Sequence, residues 1–249
     1  MPISNNVLFI FNKMLKSDFV PTNENSEINA NLLKNHIKTL LDKGAVATMC
    51  GSYTPLMLYA AFNITGERLE KELEKDTAYI TAEASQHPDQ EESTNVNALF
   101  LAVISGSLDV FKRLYTSAFF TEIEPKSIVL IAVEENKANI LHYLRERGID
   151  LMVKLENISS MKIQMTSLQI ACQRGFNEIV EEILLSKPSE DLISATAHPF
   201  PDMTAYAIAS QEADLSEDNK TYQACMDLLE QHTLSGKWSA LYSAMAYGR

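Results

Sequence analysis

Hydrophobic residues recur along the chain in pairs of short stretches that a single glycine or asparagine separates. The segment Asn97–Tyr115 reads NALFLAVISGSLDVFKRLY and is apolar at helical spacing on both sides of Gly106. Glycine in a helix interior costs about 1 kcal/mol relative to alanine, but it readily adopts the left-handed conformation that ends a helix. Asn136 and Gly175 occupy the same place in two later stretches. The pattern therefore predicts two short helices and a tight turn in each stretch.

The same pattern returns at intervals along the chain. A small or polar residue leads each copy, apolar residues follow two and four positions later, and a small residue usually comes next. Neither helix of such a pair can bury its apolar stripe alone, so the pairs must stack on one another. The sequence thus predicts an all-α helix-turn-helix solenoid of about five irregular repeats. These begin near residues 54, 97, 127, 166 and 204.

These copies resemble the ankyrin repeat family. The segment TPLMLYAA (54–61) stands where that family has its T-P-L-H-x-A-A signature, and ALFLAVISGSLDVFKRL (98–114) matches the helix-turn-helix that follows. The segment LRERGID (144–150) is similar to the end of such a repeat. The resemblance implies an ankyrin-like array over residues 53–232. We expect helices within residues 1–52 and 233–249 to cap it, because terminal repeats need one polar outer face.

The copies also depart from the family pattern. Their starts are 43, 30, 39 and 38 residues apart, whereas the ankyrin repeat is about 33 residues long. The signature histidine, which ties turns together in the family, is absent from every copy. Its five positions hold Met57, Phe100, Leu130, Gln169 and Ala207. We therefore expect less regular repeats.

The additional residues are expected in loops or helix extensions. Residues 86–97 resemble a solvated acidic loop, and residues 156–165 and 189–202 resemble loops before repeats four and five. Residues 213–220 are expected to interrupt the last helix pair. The second helix of repeat one is expected to be long and charged, over residues 67–85.

Charge and composition narrow the range of partners and compartments. The chain has 249 residues, with 33 Asp and Glu against 21 Lys and Arg, so its net charge is −12. Phosphate backbones and anionic membrane surfaces would repel it. No apolar run approaches the roughly 18 residues that a transmembrane helix needs. Three widely spaced cysteines without a CxxC pair favour reduced, buried thiols and a cytoplasmic location.

The sequence contains no motif that indicates catalysis, a metal or a cofactor. Its five histidines form no HxxxH or HExxH pair, and no glycine-rich phosphate loop is present. We therefore expect a non-enzymatic protein without a cofactor or metal. The alternative is an enzyme, a hydrolase or transferase, whose site is built from the N-terminal region and the long loops and uses Cys50 or His198. Only about 50 residues precede the first repeat, which is too few for an ordinary catalytic domain.

The resemblance implies that a protein partner binds a concave surface formed by the turn tips and the exposed side of the first helices. We expect the chain to act there as a monomeric interaction module or scaffold. The family positions that face such a surface correspond to Tyr53, Phe62, Val96, Ile104, Ser105, Lys126, Glu134, Glu135, Met165, Gln173, Arg174, Met203, Gln211 and Glu212, with Phe200 in a nearby loop.

Several of these positions are apolar, namely Tyr53, Phe62, Ile104, Met165, Phe200 and Met203. Exposed apolar groups of this kind usually mark partner sites. The alternative is that the long loops fold over them or that the register of repeat one slips. The irregular repeats and polar loops also resemble ankyrin proteins of intracellular bacteria, many of which are delivered into host cells as effectors. That resemblance implies a location in the host cytosol.

Overall fold

The structure is a computed structural model. It describes residues 54–75, 84–85, 95–116, 125–155, 164–197, 202–216 and 219–232, together with Asn35, Lys38 and Thr39. These three residues are helical, and the rest of the predicted capping segments lies outside the described residues. The chain divides into two compact units, Met1–Glu124 and Pro125–Arg249.

The part of the first unit that the structure describes from residue 54 onwards contains two helical hairpins. Its elements are α1 (Pro55–Ala61), α2 (Glu67–Leu73), β1 (Ala84–Ser85), β2 (Asn95–Val96), α3 (Ala98–Ser105) and α4 (Leu108–Tyr115). Helix α1 packs against α2, α3 and α4, and α3 packs against α4. Strands β1 and β2 pair antiparallel, with Ala84 opposite Val96. The prediction of one long helix over residues 67–85 is wrong, because α2 ends at Leu73 and residues 84–85 form a strand.

The described residues of the second unit, 125–232 with their gaps, form three helical hairpins. Its elements are α5 (Pro125–Glu134), α6 (Ala138–Glu146), β3 (Lys154–Leu155), β4 (Met165–Thr166), α7 (Ser167–Gln173), α8 (Asn177–Leu185), α9 (Glu190–Ile193), α10 (Ala205–Leu215) and α11 (Lys220–His232). The first helices pack in the order α5, α7, α10, and the second helices pack in the order α6, α8, α11. Strands β3 and β4 pair antiparallel. Stacked hairpins are the arrangement that the apolar periodicity predicted.

A side chain at the start of most first helices satisfies a free backbone amide. The side-chain oxygens of Thr54, Asn97, Thr166 and Thr204 each accept a hydrogen bond from the backbone amide three residues later, at 3.0–3.3 Å. Such a cap contributes about 1 kcal/mol. Helix α5 differs, because it begins at Pro125, two residues before the expected start at Ser127. Proline suits a first helical position, since its fixed φ is already helical and it has no N–H to leave unpaired.

A left-handed residue ends four of the five first helices. Asn63, Gly106, Asn136 and Gly175 have φ values from +48° to +70°. The amide after each one bonds to the carbonyl five residues earlier, as Ser107 does to Ala102 at 2.8 Å. This is the Schellman arrangement, which closes a helix and releases the chain into a turn. The prediction that Gly106, Asn136 and Gly175 end helices is confirmed, and Asn63 is a fourth case that the sequence pattern did not identify.

The fifth repeat lacks this turn. Ala213 stands nine positions after Thr204, as Gly175 does after Thr166, and α10 continues through it to Leu215. The first three residues of the predicted interruption over residues 213–220 are therefore helical, and α11 already begins at Lys220. Helix α9 likewise lies inside the loop expected over residues 189–202. Asn97, at the end of the loop expected to be solvated, is a buried cap with 5% exposure.

The cores of both units consist of the apolar stripes that the repeat pattern identified. Leu56, Leu99, Val129 and Leu168, which lie two positions after the repeat starts, have no exposed surface. Cys172 and Cys225 are also fully buried free thiols, as expected. Among the helices in the described part of the chain, none has the length and apolar content that a bilayer crossing requires.

Candidate protein-interaction surface

Six of the thirteen predicted partner-binding residues that the structure describes lie at or near the C-terminal ends of the first helices of the second unit. We call this set the turn edge, and it comprises Glu134, Glu135, Gln173, Arg174, Gln211 and Glu212. Gln173, Arg174 and Gln211 are exposed, whereas the three glutamates are half-buried. At the ends of α5 and α7 the free carbonyl groups carry partial negative charge, so the backbone there adds to the field of the neighbouring side chains.

The local sequence explains why these side chains reach solvent. In α7, Ala171 and Cys172 are buried small residues that let the helix pack closely on its neighbours. The next two residues, Gln173 and Arg174, follow at 100° steps around the helix and face away from the core. Gly175 then adopts its left-handed conformation and turns the chain back into α8. The positions of Gln173 and Arg174 are thus fixed by the buried residues Ala171 and Cys172 before them and by the helix-ending residue Gly175 after them.

Arg174 links the ends of two neighbouring first helices. Its Nη1 atom donates a hydrogen bond of 2.8 Å to the backbone carbonyl of Glu134, the last residue of α5. A positive guanidinium is favoured at a helix C-terminus because it opposes the helix dipole. The contact therefore orients the Arg174 side chain along the edge and ties repeat three to repeat four.

The turn edge is electronegative. It carries three carboxylates, Glu134, Glu135 and Glu212, against the single guanidinium of Arg174. Burial raises the pKa of Glu135. The negative charge of Glu134 raises it further, whereas the positive charges of Lys137 and Arg174 lower it. Glu212 also lies near the phenol of Tyr222, whose pKa is raised by burial first and by this carboxylate second. The sign of the field would favour positively charged groups on a partner.

A buried glutamine performs the tying role that the missing signature histidine has in the family. The side-chain carbonyl of Gln169 accepts a hydrogen bond of 2.7 Å from the backbone amide of Thr166, which completes a capping box. Its Nε2 atom donates to the carbonyls of Ala195 at 2.9 Å and Met203 at 3.1 Å. Gln169 thereby holds the segment before repeat five against α7 and sets the position of half-buried Met203.

In the first unit, the predicted site residue Ser105 makes structural contacts. The Oγ atoms of Ser105 and Ser107 each donate a hydrogen bond of 2.8 Å to the carbonyl of Ala60, and they lie 2.6 Å from each other. These bonds connect the end of α3 to the end of α1. Ser105 and its neighbour Ile104 are half-buried.

The expectation that Phe62 and Met165 are exposed is wrong. Their exposed fractions are 7% and 8%. Phe62 occupies the same repeat position as Arg174, but burying an aromatic ring is favourable by about 1.5–3 kcal/mol, whereas a guanidinium stays in water. Met165 belongs to β4, where it pairs with Leu155. These two residues belong to the core of their units.

The remaining predicted residues divide between surface positions and undescribed ones. Lys126 is exposed near the start of α5. Val96 pairs with Ala84 through its backbone in β2. Tyr53 and Phe200 lie outside the described residues, as do Cys50 and His198 of the alternative enzymatic interpretation. Within the described ranges, no three or more His, Cys, Asp or Glu side chains are grouped so that they could hold a metal ion.

Comparison with known structures supports the fold. The crystal structure of the ankyrin repeat domain of Bcl-3, described as a unique member of the IkappaB protein family, matches with a TM-score of 0.51 and 14% sequence identity. The match covers 93% of this chain and 87% of that one. No protein-family model and no curated protein matches the sequence. The chain therefore has an ankyrin-type, all-α fold, and the resemblance drawn from its repeats is confirmed at the level of fold.

Proposed function

We propose that this chain is a non-enzymatic interaction module that binds a protein partner through the turn edge of its second unit. The observation that carries the proposal is the exposure of Gln173 and Arg174 at the end of α7 and of Gln211 within α10, on helices whose backbone is fixed. Caps at Thr166 and Thr204 start the two helices, and the Gln169 bonds hold the segment between them. The backbone that carries these groups is therefore ordered before binding, which lowers the conformational entropy that binding costs.

The partner in this proposal is a protein and not a nucleic acid. The net charge of −12 and the three carboxylates of the turn edge would repel phosphates. The charged members of the edge would affect partner orientation and association rate more than affinity. The monomeric state, the cytoplasmic location and the role as a host-targeted bacterial effector stay predictions. Nothing among the described residues favours the enzymatic alternative.

A pair of matched variants tests the turn edge. The test variant is Gln173→Lys with Gln211→Lys, which places two long side chains and two charges on the edge. The control is Gln223→Lys with Gln231→Lys, which makes the same changes at exposed positions of α11. Each protein is used as bait in cytosol, and the captured proteins are quantified by mass spectrometry.

We expect the natural chain and the control to enrich the same proteins, and the turn-edge variant to lose them by at least about tenfold, which corresponds to about 1.4 kcal/mol. Circular dichroism should show equal helicity in all three proteins. Equal enrichment by the test variant and the control would place the binding surface elsewhere. If no protein is enriched by the natural chain, the proposed function itself fails.

A further inference from the structure

Two buried thiols from different repeats lie against each other in the second unit. Cys172 is in α7 of repeat four and Cys225 is in α11 of repeat five, and both have 0% exposure. Both are free thiols, and a hydrogen bond links their side chains. The repeat pattern requires small residues at these two positions, but it does not require cysteine at either one. It therefore does not explain why two thiols face each other.

The helix containing Cys225 closely approaches Gly175, in the turn that follows α7. A Cβ atom placed on Gly175 would lie 2.9 Å from Oγ1 of Thr221 and 3.1 Å from Cε1 of Tyr222. Cys172 precedes Gly175 by about one helical turn, and Cys225 follows Thr221 by about one turn. Two antiparallel segments that touch at one level also lie side by side one turn away. Such proximity is what a disulfide requires, since its Cα atoms are usually about 4.4–6.8 Å apart.

The environment of the two sulfurs gives them different acidities. The hydrogen bond to Cys225, followed by burial, raises the pKa of Cys172. The same bond lowers the pKa of Cys225, whose sulfur accepts it, while burial opposes this change. The thiolate is the reactive form of cysteine. Of the two residues, Cys225 is therefore the one expected to attack an oxidant.

We propose that Cys172 and Cys225 are a redox pair that forms an intramolecular disulfide between repeats four and five when a hydroperoxide is present. The Cys225 thiolate attacks the distal peroxide oxygen, the O–O bond breaks, and the alkoxide leaves with a proton, which gives a sulfenic acid and an alcohol. The sulfur of Cys172 then attacks the Cys225 sulfur, the S–O bond breaks, and water leaves with the thiol proton. The two thiols lose two electrons in total, and the peroxide gains them.

Burial determines how fast this reaction can be. No oxidant reaches a sulfur with 0% exposure until the hairpin of α10 and α11 opens locally, and such openings cost less than global unfolding. Oxidation should therefore be slow in water and faster in a urea concentration below the unfolding transition. Once formed, the bond would close a loop of about 50 residues and oppose the same opening.

The pair can be tested in the full chain with Cys50→Ser as the background, so that only Cys172 and Cys225 carry thiols. The protein is treated with tert-butyl hydroperoxide, denatured in iodoacetamide and analysed by mass spectrometry. We expect no alkylation, a mass lower by about 2 Da for the two lost hydrogens, and full return of two alkylated thiols after dithiothreitol. A peptide that joins the segments around residues 172 and 225 should appear in the digest.

Amide hydrogen exchange gives a second measurement. If the two cysteines only filled space in the core, an oxidant would not change the exchange rates. Amides of α10 and α11 should exchange at least about tenfold more slowly in the oxidised protein, and dithiothreitol should reverse the change. The added variants Cys172→Ala and Cys225→Ala are controls that should show no oxidant-dependent protection. Two free thiols after prolonged treatment, or sulfinic acid in place of the cross-linked peptide, would overturn the proposal. The proposal would also be overturned if, in the natural chain, Cys172 or Cys225 formed a disulfide with Cys50 and not with each other.

Discussion

Repeats four and five have the same start and different ends. Both first helices begin after a threonine cap, Thr166 or Thr204. Nine positions later repeat four has Gly175, whose φ of +66° ends α7 after seven residues. Repeat five has Ala213 at that position, and α10 continues to eleven residues. A left-handed conformation costs a non-glycine residue about 1–2 kcal/mol. Ala213 therefore stays in the right-handed conformation, and the helix continues.

The comparison shows that a single backbone preference can set the length of a helix in this fold. The extended end of α10 carries Leu215 into solvent, where it is 75% exposed. Repeat five also has Ala207 where repeat four has Gln169, so it lacks the buried amide that ties one repeat to the next. Repeat four is thus closed by side-chain and backbone bonds, whereas the first helix of repeat five runs past the equivalent point.

The largest expected effect comes from Gly175→Ala. The new Cβ would require a left-handed alanine and would meet Thr221 Oγ1 at 2.9 Å. We expect the free energy of unfolding to fall by about 3 kcal/mol, as the sum of backbone strain and overpacking. The measurement is urea denaturation followed by circular dichroism.

Gly148→Ala is the matched control for this substitution. Gly148 also has a left-handed φ, +74°, but no atom lies within 4 Å of the position that a Cβ atom would take there. Gly148→Ala should therefore lower the free energy of unfolding only by the conformational cost of about 1–2 kcal/mol. Equal losses at the two glycines would show that the contact with α11 does not constrain this turn.

Gln169→Leu should have the next largest effect. The substitution keeps an apolar stem but leaves the Thr166 amide and the carbonyls of Ala195 and Met203 without their partner, and each buried group left unsatisfied costs about 1–3 kcal/mol. We expect the free energy of unfolding to fall by about 2 kcal/mol in urea titrations, because water can reach some of these groups once the tie is lost. Met57→Leu is the control at the equivalent position of repeat one and should cost less than about 1.5 kcal/mol, since volume is conserved. A neutral Gln169→Leu would contradict the tying role.

The sequence predicted the helix ends well where residue type limits the backbone. Gly106, Asn136 and Gly175 were identified because few residues tolerate positive φ. Asn63 was missed because asparagine also occurs in many right-handed and extended positions, so its type alone is a weaker signal. The two-residue strands, such as β1 and β2, were missed because so short a segment shows no alternating periodicity.

The candidate surface was predicted less well than the fold. Periodicity indicates the direction in which Phe62 or Met165 leaves the backbone, but not which segment packs over it. The role of Gln169 depends on Ala195 and Met203, which lie 26 and 34 residues further along the chain. The local sequence pattern does not show such non-local contacts, whereas the exposed polar positions Gln173 and Gln211 follow directly from that pattern.

Ala213→Gly should have a smaller effect than either substitution in repeat four. Glycine in a helix interior costs about 1 kcal/mol relative to alanine. Glycine also permits the left-handed turn of the other repeats, which offsets part of this cost. We therefore expect the free energy of unfolding to fall by about 0.5–1 kcal/mol, measured by urea denaturation. Hydrogen exchange should become faster at residues 213–215. An increase in stability would show instead that repeat five is held in a strained extension that glycine releases.

The smallest expected effect is the pH response of Tyr206 in α10. Burial, followed by its hydrogen bond of 2.9 Å to Glu230, raises the pKa of Tyr206 from 10 to about 12. The folded chain then keeps a proton that the unfolded chain loses between pH 10 and 12. This contribution to stability is complete below about pH 10 and is lost as the pH rises towards about 12.

Urea midpoints of the natural chain and of Tyr206→Phe, measured from about pH 9 to about pH 11.5, isolate this contribution from that of the lysines. The natural chain should lose stability more steeply. The absorbance change at about 295 nm near pH 10 should be equal in the two proteins, because the phenol that the variant lacks ionises only towards about pH 12. Parallel curves for the two proteins would show that Tyr206 ionises normally.

The constant distance from cap to turn has a practical consequence for labelling this protein. Thr54 to Asn63, Asn97 to Gly106 and Thr166 to Gly175 are each nine positions, while successive repeat starts are 30 to 43 residues apart. The spacing of repeat starts therefore varies, whereas the distance from cap to turn is the same in these three repeats. An epitope tag or a fluorescent reporter should be accepted between residues 197 and 202, and the same insertion at Gly175 should prevent expression of folded protein.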